Sequence, residues 1–215
     1  MLRCHIDHLV VTAPSLAAGA EYVQEALGVS LQPGGEHATM GTHNRLLKLG
    51  EALYLEVLSV NPAAAAPTRP RWFQLDEVDA VQAARLATWV VRTSDIKAAL
   101  AASPVVSGYA MPMTRDDLSW QISLPRNGSL PLQGIAPTII QWQGHHPASR
   151  LTDLGCSFLR LEAFHPRAQK VRQMLQAIGF QGEFSVTASP PGVPPRLIAH
   201  IRTPAGARQL PAQFG

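Results

Sequence analysis

The stretch DHLVVTAPSL, residues 7–16, sets the pattern from which the fold of this chain can be predicted. Its first half is apolar and β-branched, which is typical of a strand, and Ser15 is placed to cap a following helix. Residues 16–28 carry apolar side chains at helical spacing and end at Gly28. Strand-like segments then follow, among them NRLLKLG and ALYLEVLSV. The unit therefore predicts one strand, one helix and three further strands.

This unit recurs along the chain. DHLVVTAPSL aligns without a gap on ATWVVRTSDI, residues 87–96, so that one Val-Val pair falls on another. A third, shorter copy begins just before FLRLEAFHPRAQKV. Repeats of this size cannot each bury a sheet face alone and are expected to pack together. We predict an α+β fold and one domain over residues 1–215, with modules at about 3–60, 86–143 and 156–212.

The composition limits the kind of partner. A net charge of +3, a hydrophobic content of 46% and a charged content of 15% are typical of a globular protein. The basic residues are scattered, so we expect no nucleic-acid partner. No apolar run is long enough to span a membrane and no leader segment is recognisable. The two cysteines lack metal-binding spacing. We therefore expect a cytoplasmic protein without a membrane partner.

An imidazole and a carboxylate stand in otherwise apolar strands. If the last strand of the first module returns beside its first strand, LYLEVL (53–58) lies next to DHLVV, and Glu56 comes close to His8. A buried carboxylate without a partner is costly, so the two side chains are natural partners. Together they could share a metal ion or act as acid and base. The alternative is structural: a hydrogen-bonded core histidine, and a Glu56 bonded to Asn44.

The alternation of side chains along a strand predicts which residues face the concave side of the sheet. In the first strand it places His8 and Cys4 on one face and Asp7 on the other. In the strand PTIIQW it predicts that Gln141 faces the cleft and that Trp142 faces away.

The repeated unit, with His8 in DHLVV and Glu56 in YLEV, resembles the vicinal oxygen chelate superfamily. Within it, GTHNRLLKLGEALYLEVLSV (41–60) and PTIIQWQGHHP (137–147) resemble the glyoxalase-like domain proteins. The resemblance implies βαβββ modules whose mixed sheets curl into a half-barrel cleft, with the helices packed outside. It also implies a divalent metal (zinc, manganese, iron or nickel) held by the first and last strands of each module.

The ligand positions that the resemblance implies are only partly filled. His8 and Glu56 occupy the two positions of the first module. In the second module the alignment gives Thr88, a poor ligand, and Gln141, a weak one. The resemblance therefore implies a metal held by His8, Glu56 and Gln141, or no cofactor at all. The pair at 145–146 is predicted to be a solvated loop, with a role as ligand or base as the alternative.

Four residues are candidates for substrate binding. Asn44 and Arg45 are placed to line the cleft, and Gln141 would face it from the second module. Arg160 aligns with His8 in the third copy and would suit a carboxylate or phosphate. The alternative for the first two is that Asn44 is only a turn residue and Arg45 a solvated side chain. The alternative for Arg160 is a surface ion pair with Glu162.

The resemblance favours a small-molecule enzyme of the glyoxalase-like type, acting as a lyase, isomerase or dioxygenase on a substrate with vicinal oxygens. In it Glu56 would be a ligand or general base and His8 a ligand or orienting donor. The alternative is a metal-free protein of the same fold that binds or sequesters a small molecule. The third hypothesis is a scaffold protein whose cleft has no function. The expected partner is a small-molecule ligand, and the chain is expected to be a monomer or a homodimer.

Overall fold

A computed structural model describes residues 2–78 and 83–211 of the chain. The helices are α1 (Leu16–Leu27), α2 (Ile96–Ala102) and α3 (Ala168–Ala177). The strands are β1 (Cys4–Thr12), β2 (Gln32–His37), β3 (Thr42–Gly50), β4 (Leu53–Val60), β5 (Arg85–Thr93), β6 (Tyr109–Arg115), β7 (Leu118–Leu124), β8 (Thr138–Gln143), β9 (Ser157–Phe164), β10 (Phe180–Gln181), β11 (Phe184–Thr187), β12 (Arg196–Thr203) and β13 (Gly206–Pro211). Residue 212, the predicted end of the third module, lies outside the described residues.

The first two copies of the unit share one mixed sheet with the strand order β2-β3-β4-β1-β5-β8-β7-β6. In each copy the last strand returns parallel to the first, so that β4 pairs with β1 and β8 pairs with β5. The two copies join through the antiparallel pair β1–β5 at the centre. The sheet curls until its outermost strands, β2 and β6, contact each other. The predicted α+β class and the curled, half-barrel sheet are therefore confirmed.

The third copy forms a separate sheet with the order β11-β9-β12-β13, while its short strand β10 pairs with the beginning of β1. One face of this smaller sheet packs on the convex side of the main sheet. The core between them contains Leu9 and Trp89 from the main sheet, Leu161 and Ile201 from the smaller one, and the apolar faces of all three helices. The helices thus lie outside the half-barrel.

The helix α1 shows how local sequence signals place these elements. Its N-cap Ser15 accepts a hydrogen bond from the backbone N–H of Ala18 at 3.2 Å, and the left-handed Gly28 (φ 71°) ends it. Both boundaries match the prediction. In the described part of the chain, no helix combines the length and the apolar character that a membrane crossing requires.

A second hydrophobic cluster fills the concave side of the main sheet. It contains residues from both copies and from the segment between them: Val10, Met40, Leu58, Trp72, Phe73, Leu75, Ala87, Val90, Met113, Leu118, Trp120, Ile122, Leu124, Leu130 and Ile140. The polar side chains of the candidate site stand at the edge of this cluster.

Candidate functional site

A β-bulge in β1 brings two neighbouring polar residues to the same side of the sheet. In the pairing with β5, Ile6 lies opposite Val91 and His8 opposite Val90, so that Asp7 is an extra residue. A bulge re-aims a side chain in this way. The predicted placement of Asp7 on the face away from His8 was therefore wrong.

The same bulge also changes the face to which the side chains before Asp7 point. Cys4 packs in the helix-covered core together with Leu9 and Val11, whereas Val10 belongs to the concave cluster. The prediction that Cys4 shares the face of His8 was wrong for this reason, because simple alternation does not hold across an inserted residue.

Asp7 is fully buried and stands at the centre of the polar cluster. Its Oδ1 lies 2.6 Å from Nδ1 of His8. Its Oδ2 accepts a hydrogen bond from Nε1 of Trp142 at 2.9 Å and lies 3.1 Å from Nε2 of His146. Burial opposes ionisation, but the hydrogen bonds of His146 and His8 outweigh it and hold the pKa of Asp7 well below its ordinary value. Asp7 is therefore a buried carboxylate that orients its neighbours.

Glu56 reaches His8 from the adjoining strand, as the predicted return of β4 beside β1 requires. Its Oε2 lies 3.7 Å from Nε2 of His8, and its Oε1 accepts a hydrogen bond from Nδ2 of Asn44 at 2.5 Å. His8 and Glu56 are 3% and 6% exposed, so both carry their polar atoms in a protected space. The predicted neighbour relation between these two residues is confirmed.

Tyr54 lies opposite His8 in the strand pairing, and their rings stack with centroids 4.6 Å apart. Burial, followed by the charges of Asp7 and Glu56, raises the pKa of Tyr54 well above its ordinary value. The phenol therefore stays neutral and serves as a flat support for the imidazole.

A narrow cavity that opens to solvent lies between these side chains and the concave cluster. Its walls are mostly aromatic and aliphatic, with a few polar groups. The lining residues are His8, His37, Asn44, Leu46, Tyr54, Glu56, Trp72, Phe73, Arg115, Trp120, Ile122, Ile140 and Trp142. A small number of polar groups in an apolar space is typical of a site for a small organic ligand.

Arg115 and His37 form a second polar group in this cavity. Nη1 of Arg115 donates to Nε2 of His37 at 3.2 Å, and Nδ1 of His37 lies 3.1 Å from Oγ1 of Thr42. Burial and then the charge of Arg115 lower the pKa of His37 to about 3, so the imidazole is neutral. No motif in the sequence pointed to these residues, because Arg115 ends a strand whose side chains are mostly exposed or half-buried.

The second module does not supply the ligands that were expected of it. The amide oxygen of Gln141 accepts a hydrogen bond from the backbone N–H of Ile96 at 2.9 Å, at the beginning of α2, so it points toward the helices. Trp142 lines the cavity instead. The predicted orientation of these two residues was wrong.

The strand registers explain this error. In the first module Glu56 lies opposite Val10, and in the second Thr138 lies opposite Val90, the residue aligned with Val10. The position of Glu56 is thus taken by Thr138, not by Gln141. Thr88, aligned with His8, is buried and donates to the carbonyl oxygen of Gly134 at 3.1 Å.

Two arginines predicted to bind substrate lie outside the cavity. Arg45 is exposed on the face of β3 opposite to Asn44, because neighbouring strand residues point to opposite sides. Arg160 lies on the smaller sheet, where its Nε donates to Glu162 at 3.0 Å as an exposed ion pair. Both placements correct the prediction, whereas Asn44 lines the cavity as expected.

The donor set does not fit a tightly held metal ion. Among residues 2–78 and 83–211, no three His, Cys, Asp or Glu side chains are grouped so that they could hold one. His8 and Glu56 offer one nitrogen and one carboxylate, Nδ1 of His8 is taken by Asp7, and Gln141 points elsewhere. Protein zinc sites use three or four protein ligands. Two donors fall short of this number.

Comparison with known proteins agrees with the fold. A model of the family described as "Glyoxalase-like domain" matches residues 6–179. No curated protein sequence gives a significant match. A hypothetical protein from Staphylococcus aureus is similar in structure, with a TM-score of 0.57, 14% identity and 86% of each chain covered.

Two further solved structures show weaker likeness. A methylmalonyl-CoA epimerase variant from Streptomyces coelicolor, in complex with 2-nitronate-propionyl-CoA, has a TM-score of 0.44 and 19% identity over 67% of this chain and 100% of that chain. The Mn(II)-bound glyoxalase from Novosphingobium aromaticivorans has a TM-score of 0.48 and 8% identity over 96% of this chain and 81% of that chain. The family match spans most of the described residues, and this chain belongs to the glyoxalase-like domain family.

Proposed function

We propose that the cavity binds a small carbonyl compound and that Glu56 moves a proton on it, which makes the protein a lyase or isomerase of the glyoxalase-like type. One observation carries this proposal. The carboxylate of Glu56 stands in the wall of an apolar, aromatic cavity, and its Oε2 accepts no hydrogen bond from the described residues. A carboxylate with one free, poorly solvated oxygen is suited to act as a general base.

The surrounding groups have distinct roles in this proposal. Asn44 holds Oε1 and leaves Oε2 directed at the ligand. Asp7 binds Nδ1 of His8, so that Nε2 of the imidazole is presented beside Glu56. A proton taken by Glu56 from a carbon next to a carbonyl leaves an enolate. His8 in its imidazolium form, with Nδ1–H donated to Asp7, then gives the proton on Nε2 to a neighbouring atom of the same molecule, which completes an isomerisation. Glu56 then returns its proton to His8, and no other reactant is needed.

No step of this proposal is assigned to a metal, because the two donors His8 and Glu56 are fewer than the three or four protein ligands of a zinc site. If an ion is bound, His8 and Glu56 are the residues that would hold it. Metal analysis of untagged protein tests this point. Stoichiometric zinc, manganese, iron or nickel that is lost in His8→Ala would contradict the metal-free form of the proposal.

The aromatic walls favour a second candidate function, the sequestration of a flat molecule without chemistry. Trp72, Phe73, Trp120 and Trp142 all line the cavity, and such rings bind planar apolar ligands by stacking. In this case the Asp7–His8–Glu56 row would only stabilise the fold.

Hydrogen–deuterium exchange at carbon separates the two candidates. The protein is incubated in D₂O with a panel of 2-oxo acids, 2-oxo esters and aryl ketones, and NMR follows the loss of the signal of the proton next to the carbonyl. We expect exchange with wild type, loss of exchange in Glu56→Gln, and no change in the surface control Glu162→Gln. Binding without exchange across the panel would contradict the enzyme and support sequestration.

A further inference from the structure

We propose that Arg115 is a carboxylate receptor, so that the ligand of this cavity is a monocarboxylic acid with a flat apolar body. The inference rests on the cavity described above and specifies the substrate class of the proposed function. It depends on the charge, hydrogen bonding and surroundings of one guanidinium.

The guanidinium of Arg115 forms no ion pair with any of the described residues. Among the described residues that line the cavity, Arg115 is the one whose side chain is always positively charged. A half-buried cation without an acidic partner in a ligand cavity is an attractive site for an anion.

The hydrogen bonds of Arg115 leave an N–H of the guanidinium unsatisfied. Nη1 donates to Nε2 of His37, which accepts only because that imidazole is neutral. His37 thus orients Arg115 without compensating its charge. Nε of Arg115 is buried and has no hydrogen-bond partner. A guanidinium with an unsatisfied N–H gains a charge-assisted hydrogen bond when it binds a carboxylate.

Gly35 on β2 packs directly against the side chain of Arg115. A side chain at position 35 would place its Cβ 2.9 Å from Cδ and 3.1 Å from Nε of Arg115, which is closer than carbon atoms pack. The absence of a side chain at position 35 therefore allows the backbone of β2 to lie against the guanidinium. Gly35 and Arg115 belong to the two outermost strands, so the receptor forms where the curled sheet brings its edges together.

The receptor and the proposed base are linked through one residue. The backbone N–H of Gly35 donates to Oδ1 of Asn44 at 2.8 Å, and Nδ2 of Asn44 donates to Glu56. Arg115 and Glu56 also line the same cavity, so a ligand bound through its carboxylate at Arg115 shares that space with the proposed base. One guanidinium and a neutral imidazole balance a single negative charge, which favours a carboxylate over a phosphate dianion. The aromatic rings accommodate the apolar body.

Matched acid and amide probes test the inference. The affinities of 3-phenylpropanoate, 3-phenylpropanamide and phenyl phosphate are measured by quenching of tryptophan fluorescence, since three tryptophans line the cavity. We expect wild type to bind the acid about tenfold or more tighter than the amide, as a charge-assisted pair implies. Equal affinities, or tighter binding of phenyl phosphate than of the acid, would overturn the assignment.

Four variants test whether the preference for the acid over the amide depends on Arg115. Arg115→Gln is expected to abolish the preference for the acid, and Arg115→Lys to keep part of it because the charge remains. Gly35→Ala is expected to reduce it by crowding Nε. Arg45→Gln, on the exposed outer face, is the matched control and should change nothing. A preference that survives both Arg115→Gln and Gly35→Ala would refute the receptor.

The experiment also separates this inference from the proposed function. Glu56→Gln should retain the preference for the acid. If wild type shows the preference but no carbon exchange with any 2-oxo acid, Arg115 is a receptor in a binding protein. That result would refute the proposed enzymatic function and leave the receptor standing. If exchange depends on Glu56 but acids and amides bind equally, the receptor fails alone.

Discussion

Nδ1 of His8 lies 2.6 Å from Oδ1 of Asp7, although the two residues are neighbours in one strand. In a regular strand these side chains would point to opposite faces. The bulge at Asp7 removes this constraint and lets a buried carboxylate fix the imidazole from behind. Nε2 of His8 is thereby directed at Glu56. A local irregularity of the backbone thus creates the polar row of the site.

Asp7 is expected to contribute strongly to stability. Asp7→Asn removes the charge that Trp142, His8 and His146 surround, and breaking a buried charged network typically costs about 3 kcal/mol or more. Chemical denaturation at pH 7 measures this. The pKa of Asp7 is lowered from 3.8 in the folded state, so the advantage of wild type should be complete above pH 3.8 and shrink as the pH falls below it.

Trp142→Phe supplies the matched comparison for this network. It removes one donor to Asp7 while keeping a ring in the cavity wall, and should cost roughly 1.5–3 kcal/mol. In the Asp7→Asn background the same change should cost less, because the charged acceptor is already gone. Strict additivity of the two changes would show that this hydrogen bond does not stabilise the protein.

Glu56→Gln should reduce the turnover of any substrate by about 10²- to 10⁴-fold, the usual contribution of a general base. The change preserves shape and removes the basic oxygen, so ligand affinity should change little. Steady-state kinetics with a substrate found by carbon exchange measures both quantities. A loss confined to affinity would indicate that Glu56 binds the ligand and does not move a proton.

His37 should make the protein less stable in mild acid. Its pKa is about 3 in the folded state and 6.5 when unperturbed, so the unfolded chain binds a proton first as the pH falls. Stability from the neutral imidazole is complete above pH 6.5 and is lost between 6.5 and about 3. Urea denaturation between pH 4 and 6 should show a slope up to about 1.4 kcal/mol per pH unit smaller in His37→Gln. Parallel slopes would show that His37 is charged in the folded protein.

Two left-handed glycines should respond differently to alanine. At Gly28 (φ 71°) a Cβ meets nothing within 4 Å, so Gly28→Ala should cost only the backbone strain of about 1–2 kcal/mol. At Gly134 (φ 89°) a Cβ would lie 1.9 Å from the carbonyl oxygen of Ala87, and overpacking adds about 1–3 kcal/mol. Denaturant midpoints of both variants test this. A Gly134→Ala protein as stable as Gly28→Ala would show that the loop moves freely.

The fold was predictable because its signals are regular. The repeat of an apolar strand, a capped helix and three strands is visible in the sequence, and it places β4 beside β1. Glu56 is then conspicuous as an acid within the apolar run of β4. Because a buried carboxylate without a partner is costly, the sequence also indicates its neighbour His8. These relations depend only on periodicity and on the cost of burial.

The remainder of the site depends on features that periodicity does not contain. A bulge inserts one residue at Asp7, and the register of β8 places Thr138, not Gln141, at the position of Glu56. Each shift of one residue turns every following side chain to the other face. Arg115 was not identified because its place in the cavity depends on the closure of the sheet between its two edges.

The two copies of the unit form the two halves of the main sheet, which meet at the central pair β1–β5. The two halves have different roles in the proposed site. Every group proposed to transfer a proton belongs to the first half, whereas Trp120, Ile122 and Ile140 of the second half only shape the space. These three side chains can therefore be exchanged to admit a differently shaped molecule while the reactive half is left intact. A duplicated gene with this layout can acquire new substrates by altering one copy of its repeat.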